Sequence, residues 1–307
     1  MTQKTLEIIR LLEQKIKRNI FYNKSKTIVH IIIIRKNLLK LFSMSHKQFK
    51  LKEELPEFIK IIKTLDRKVI VVFLSIAILQ TVSWYYTSRL FFRANFFDAL
   101  SSNPNVYKYE FLYWFASDFV TLFIIPVLII KIILKENIKD YGIRIGDYSA
   151  GLKLMFLILI IMIPIIWFVT AQQGFSLTYP LLVQARDSWP VFILFETGIL
   201  FYLFSWEFIW RGFMLFGLKE KFGYYAVIIQ MIPFLILHNG KPPVETFGAI
   251  LGGIALGILA YRTRSIYYCI LTHAGIMFSI DFISVLRYRS DDFGTGLNSL
   301  FHILKQL

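Results

Sequence analysis

Long uncharged apolar runs, separated by clusters of charge, organise this chain. Seven runs stand out, at residues 69–86, 113–130, 154–170, 192–216, 224–237, 246–261 and 266–286. A helix needs roughly 20 mostly apolar residues to cross the hydrocarbon core of a bilayer. Backbone polar groups in lipid must be satisfied inside the protein, and a helix does this within itself. The pattern therefore predicts an all-α, polytopic transmembrane helical bundle of about seven spans. The fifth and sixth runs are short, so they require neighbours that shield their ends.

Composition sharpens this reading. Hydrophobic residues make up 56% of the 307, Phe alone occurs 30 times, and only 18% are charged, whereas soluble domains are about 45–50% apolar. A water-exposed surface could not absorb that excess, which excludes a soluble globular domain. Cys269 is the single cysteine, so an intrachain disulfide or a cysteine metal cluster is excluded too. The first apolar run follows dozens of mostly polar and basic residues and precedes further spans, which argues against a cleavable signal peptide.

Charge then orients the bundle. Residues 1–68 hold 17 Lys or Arg against 6 Asp or Glu, most of the formal charge of +15. A basic segment before the first span fits a cytoplasmic surface facing anionic lipid better than a nucleic-acid site. With the N-terminus inside, alternation puts Lys131, Lys135, Lys139, Arg144, Lys219, Lys221, Arg262 and Arg264 inside as well. The opposite loops hold only Arg89, Arg93, Lys108, Arg186 and Lys241. The bias favours a cytoplasmic N-terminus and an external C-terminus, in a membrane of the bacterial cytoplasmic type.

The expected organisation is a basic cytoplasmic or interfacial segment at 1–68, three spans in 69–186, a catalytic core in 187–286 and a tail at 287–307. Within the first segment, Ile9, Leu12, Ile16 and Ile20 form an amphipathic stripe, followed by a β-branched run at 28–34. Neither can span; they read as an interfacial element or as a leader upstream of a start at Met44. In the sixth run, Gly248, Gly252, Gly253 and Gly257 form two overlapping small-xxx-small pairs, which predict close helix packing.

Ionisable side chains inside spans cost at least ~2.5–3.5 kcal/mol each on insertion scales, so each needs a reason. The fourth run holds Glu196, Glu207 and Arg211, the fifth ends at His238, and the seventh holds His273 and Asp281. Glu207 and Arg211 are i,i+4 neighbours, and Glu196 falls on the same helix face. At 1.5 Å per residue, Glu207 lies ~16 Å from Leu218, His238 ~21 Å from Tyr224 and His273 ~12 Å from Ser265. A carboxylate and two imidazoles at similar depth on separate helices predict a site.

Such a set suits hydrolysis. A carboxylate and a neutral imidazole can hold and deprotonate water, while a second imidazole donates to a developing oxyanion. The same three residues, Glu207, His238 and His273, could equally hold zinc with a fourth position open to water, although no His-Glu-x-x-His signature accompanies them. In the loop after His238, Gly240, Pro242 and Pro243 fix the chain next to the imidazole, so Glu245 could orient His238 from behind. Asp281, two turns beyond His273, could supply a polar partner or sit solvated at a helix end.

These residues resemble the CPBP intramembrane proteases, a family that includes CAAX prenyl endopeptidases and bacteriocin-processing or immunity proteins. The resemblance runs from about Trp189 to Asp281. The family's Glu-Glu-x-x-x-Arg appears here as Trp206-Glu207-Phe208-Ile209-Trp210-Arg211, followed by Gly212 and Phe213. Its Phe-x-x-x-His appears as Phe234 to His238, and its His with a polar residue four positions later as His273 and Met277. Trp206 replaces the Glu usually assigned to water activation, and Met277 replaces the polar residue.

The resemblance implies an intramembrane endopeptidase that hydrolyses a peptide bond of a membrane-associated substrate. Glu207 and His238 would activate water, His273 would stabilise the oxyanion, and Arg211 would keep Glu207 charged. The alternatives are an inactive scaffold or regulator that binds a partner protein, and a transporter with Glu207 as an ion site, the latter lacking any evident inverted repeat. The expected partners are membrane lipid and a membrane-associated protein or peptide, with no nucleic acid.

Overall fold

The computed structural model describes residues 51–307, together with Arg10, Leu11 and Lys36. The amphipathic stripe at 9–20 and the run at 28–34 therefore lie outside the described residues. The chain divides into two compact units, residues 1–64 and 65–307. In the first, α1 (Leu51–Thr64) sets Leu55, Phe58, Ile59 and Ile62 at helical spacing. These side chains form an exposed apolar stripe.

The second unit is helical, without a strand among its residues. Its helices are α2 (Arg67–Thr87), α3 (Arg89–Asn95), α4 (Val106–Leu134) and α5 (Tyr148–Thr170), then α6 (Trp189–Phe222) and α7 (Tyr225–Ile236). They are followed by α8 (Pro243–Thr263), α9 (Tyr267–Ser290) and α10 (Leu297–Leu304). Six of these, α2, α4, α5, α6, α8 and α9, are long and apolar enough to cross a membrane. The chain is an integral membrane protein. Polar caps set the entries: the Asp66 carboxylate accepts the N–H groups of Lys68 and Val69 at α2, and that of Asp147 accepts the Ala150 N–H at α5.

The fifth apolar run is α7, and its 12 residues rise only ~18 Å against a core of ~30 Å. It is supported by α8, with which it forms a tight antiparallel hairpin. A Cβ on Gly253 would lie 2.8 Å from Met231, and one on Gly257 would lie 2.7 Å from the Gln230 amide. The Gln230 amide donates to the Gly253 carbonyl at 2.8 Å. Gly248 and Gly252 have no such neighbour, so the contact uses one small-residue pair and not the two overlapping pairs expected. The sixth run is longer than its apolar stretch, because α8 begins at Pro243 and takes Glu245 and Thr246 into its first turn.

The fourth run, α6, has an α-helical first part ending at Glu207 and continues as a π-helix from Phe208 to Phe216. Every residue from Glu207 to Leu218 is buried. By contrast α5 leaves Phe156, Ile160, Ile161 and Ile163 exposed, as a lipid-facing helix does. α9 lies against α5, where Gly275 meets Leu159 and Gly151 meets Tyr268. α4 packs on α6 through Phe115 at Gly198 and through the edge-to-face rings of Phe111 and Phe195.

Candidate active site

The junction of the α and π segments in α6 places Glu207 where the helix is enclosed on all sides, and π segments occur frequently at functional sites. The Nδ1 of His273, from α9, lies 2.7 Å from Oε1 of Glu207. Nη1 of Arg211 donates to the same oxygen at 3.1 Å. Both partners thus hold one carboxylate oxygen. The other, Oε2, is buried without a protein partner, as are Nε and Nη2 of Arg211.

His238 sits in the turn that ends α7. Its Nδ1 lies 2.8 Å from the carbonyl oxygen of Phe234. A carbonyl can only accept, so Nδ1 carries the proton and Nε2 keeps a lone pair. The same argument applies to His273, whose Nδ1 faces a carboxylate already bound by a guanidinium. Neutral His273 therefore has no proton at Nε2, and the oxyanion-donor role expected for it would require an imidazolium.

Phe234 joins these parts. Its ring centroid lies 4.6 Å from that of His238, 6.2 Å from that of His273 and 6.0 Å from that of Trp206. The Arg211 guanidinium stands 4.1 Å over its face. Glu207, Arg211 and His273 are thus in direct contact, while His238 flanks them across this ring.

The two supporting residues are engaged with partners of their own. Asp281 is buried, not solvated at a helix end, and its carboxyl lies beside that of Glu196. Glu245 is bonded to the Tyr179 hydroxyl and pairs with Lys241 at 2.6 Å. The His238 ring is held by its own helix, through the Phe234 carbonyl, and the Glu245 carboxylate is occupied by Tyr179 and Lys241.

Two buried acids in α4 escaped the sequence reading. Asp118 accepts from the hydroxyls of Ser83 and Thr87 and from the Trp114 indole, and Glu110 pairs with Arg89 at 2.6 Å and Arg93 at 3.0 Å. Asp118 has both oxygens bonded, whereas Oε2 of Glu110 is buried without a partner, and the two acids tie α2, α3 and α4 together. An acid within an apolar run was the available signal for Asp118.

The two positions that depart from the family pattern are packing positions. Trp206 stacks on Tyr202 with an interplanar angle of 28° and meets Trp210 edge-on. Met277 packs against the apolar clusters around Phe192 and Tyr179. Among the described residues, no group of three or more His, Cys, Asp or Glu is arranged to hold a metal ion. Nδ1 of His273 stands on a carboxylate oxygen of Glu207, as in a carboxylate–imidazole couple.

Residues 187–279 match the family model described as type II CAAX prenyl endopeptidase Rce1-like. That segment is similar to the Rce1-like domain. It begins just before α6, contains Glu207, Arg211, His238, Glu245 and His273, and ends before Asp281. The match agrees with the CPBP resemblance of the sequence motifs. No curated protein and no solved structure matches the chain. The matched segment carries all three elements of the polar centre, α6, the end of α7 and the first part of α9, so the enclosed carboxylate belongs to it.

Proposed function

We propose that the Rce1-like domain hydrolyses a peptide bond in a membrane-associated protein or peptide, using water activated by Glu207 and His238. The observation that carries this reading is the division of labour on the Glu207 carboxylate. Arg211 and His273 both bind Oε1, which leaves Oε2 as a buried acceptor with no protein partner. In this reading a water held on Oε2 gives its second hydrogen to Nε2 of His238, which keeps its lone pair.

In the reaction, His238 takes the proton from water and the resulting hydroxide attacks the carbonyl carbon. The oxyanion develops beside the unpartnered N–H groups of Arg211, which suit a preorganised donor in a dry site. The His238 imidazolium then returns the proton to the leaving amine as the C–N bond breaks. His273 acts through Glu207 and is a positioning residue in this scheme. The scheme contains no step on a metal.

A second reading is favoured by Trp206. An indole locked in an aromatic stack stands where the family pattern has its first Glu, and a membrane scaffold that has lost chemistry would retain the rest of the fold. Reconstitution separates the two. The purified chain, mixed in liposomes with membrane-anchored peptides, should generate new termini identifiable by mass spectrometry, at a rate unchanged by a divalent-metal chelator. No cleavage of any anchored peptide by the parental chain would favour the scaffold, and chelator inhibition reversed by zinc would contradict the metal-free scheme.

A further inference from the structure

Away from the polar centre, at the end of the bundle where α5 begins and α8 ends, lies an open cavity of about 390 Å³. Arg144, Arg262, Arg264, Asp147, Tyr224 and Tyr261 line it. Two segments distant in sequence form its floor and are fastened backbone to backbone. The Asp147 N–H donates to the Thr263 carbonyl at 3.0 Å, and the Ile266 N–H to the Gly142 carbonyl at 3.0 Å. Nε of Arg144 donates to the Arg264 carbonyl at 3.3 Å. Gly146 has φ +63°, and a Cβ there would lie 2.0 Å from the Thr263 oxygen, so only glycine allows the approach.

The cavity gathers three guanidiniums and one carboxylate. Asp147 pairs with Arg262 at 3.0 Å. The Ala150 N–H, with help from Arg262, holds the Asp147 carboxyl below its ordinary range despite the opposing effect of burial, so it is ionised at neutral pH. Among the described residues, neither Arg144 nor Arg264 has a carboxylate partner, which leaves the cavity net positive.

Its position bears on what fills it. The cavity opens at the ends of spanning helices, the depth at which headgroups lie. Tyr224 and Tyr261 stack there with centroids 4.5 Å apart, and exposed Tyr148 and Tyr225 flank them, as in the aromatic belts of membrane interfaces. Basic pockets between spanning helices at an interface suit anionic headgroups, and guanidinium forks match phosphate oxygens two at a time.

We propose that this cavity binds the phosphate of an anionic phospholipid headgroup. Arg264 and Arg144 supply the unpaired charge, Arg262 is shared with Asp147, and the tyrosines cover the glycerol. This proposal is independent of any chemistry at Glu207. A free phosphate ion offers the same oxygens, and the experiment separates the two sources.

The full chain would be placed in nanodiscs of mixed phosphatidylglycerol and phosphatidylcholine, then stripped of bulk lipid, and retained lipid counted by native mass spectrometry. The parental chain should retain phosphatidylglycerol in preference to phosphatidylcholine. Arg262→Gln/Arg264→Gln should lower that retention by about tenfold or more. Asp147→Asn keeps a good helix cap while releasing Arg262, so it should raise retention. A general loss of folding would lower both, so the opposite signs are diagnostic. Equal retention of both lipids by the parental chain, or either variant retaining phosphatidylglycerol as the parent does, would overturn the proposal. So would inorganic phosphate that binds in pure phosphatidylcholine discs as tightly as phosphatidylglycerol and displaces it.

Discussion

His273 on α9 and Glu207 on α6 are hydrogen-bonded across the bundle, Nδ1 to Oε1, at 2.7 Å. Further along the same pair of helices, the carboxyl groups of Glu196 and Asp281 lie beside each other. The first link fixes a carboxylate whose other oxygen is left to bind water. Removing the imidazole should loosen that carboxylate without removing its basicity.

His273→Ala should therefore slow peptide cleavage by about 10–100-fold, the usual cost of losing a group that orients a reacting one. Because His273 acts through Glu207, adding the change to Glu207→Gln should cost little more. Initial rates of the four proteins in one liposome preparation give the comparison. Multiplicative losses in the double variant would show that His273 acts independently.

Arg211→Ala should damage folding more than either change. It strands a fully buried carboxylate, and breaking such a pair costs about 3–5 kcal/mol. Thermal unfolding in detergent should show a lower midpoint for Arg211→Ala, with Arg211→Lys in between. A midpoint equal to the parental one would mean that Arg211 does not hold Glu207.

The glycines of α8 give a paired test. Gly257→Val would drive a side chain into Gln230 and Val227, where overpacking costs about 1–3 kcal/mol. Gly248→Ala and Gly252→Ala meet open space and should stay within about 0.5 kcal/mol of the parent. Chemical unfolding of the three variants measures the difference, and equal losses in all three would contradict the hairpin register.

Membrane orientation follows from charge. A reporter fused after Lys139 should behave as cytoplasmic, because the 131–153 connection carries a dense basic cluster between two spans. Activity there of a phosphatase that folds only outside the cytoplasm would invert the bundle.

Much of the fold was legible because lipid imposes a simple rule: long apolar runs must be helices. The motif spacing likewise brought Glu207 and Arg211 together, since i,i+4 residues on one helix meet regardless of what surrounds them. Contacts between helices were less legible. Nothing in the sequence says that Asp281 faces Glu196, that Glu245 turns to Tyr179, or that Gly253 and Gly257 are used while Gly248 and Gly252 are not. Those pairings depend on which helix lies beside which. The π-helix after Glu207 was also hidden, because its residues read as an ordinary apolar span. The tautomer of His238 was within reach, since a His four residues after Phe234 can donate back to its carbonyl.

The most direct test of the account is the cleavage rate of Glu207→Gln. Gln keeps the size of the side chain and an oxygen for His273 and Arg211, but it removes the negative charge that holds and polarises the water. The variant should insert and fold as the parent does, and should cleave a co-reconstituted membrane-anchored peptide about 10²–10⁴-fold more slowly. Cleavage by folded Glu207→Gln at the parental rate would contradict the role assigned to Glu207.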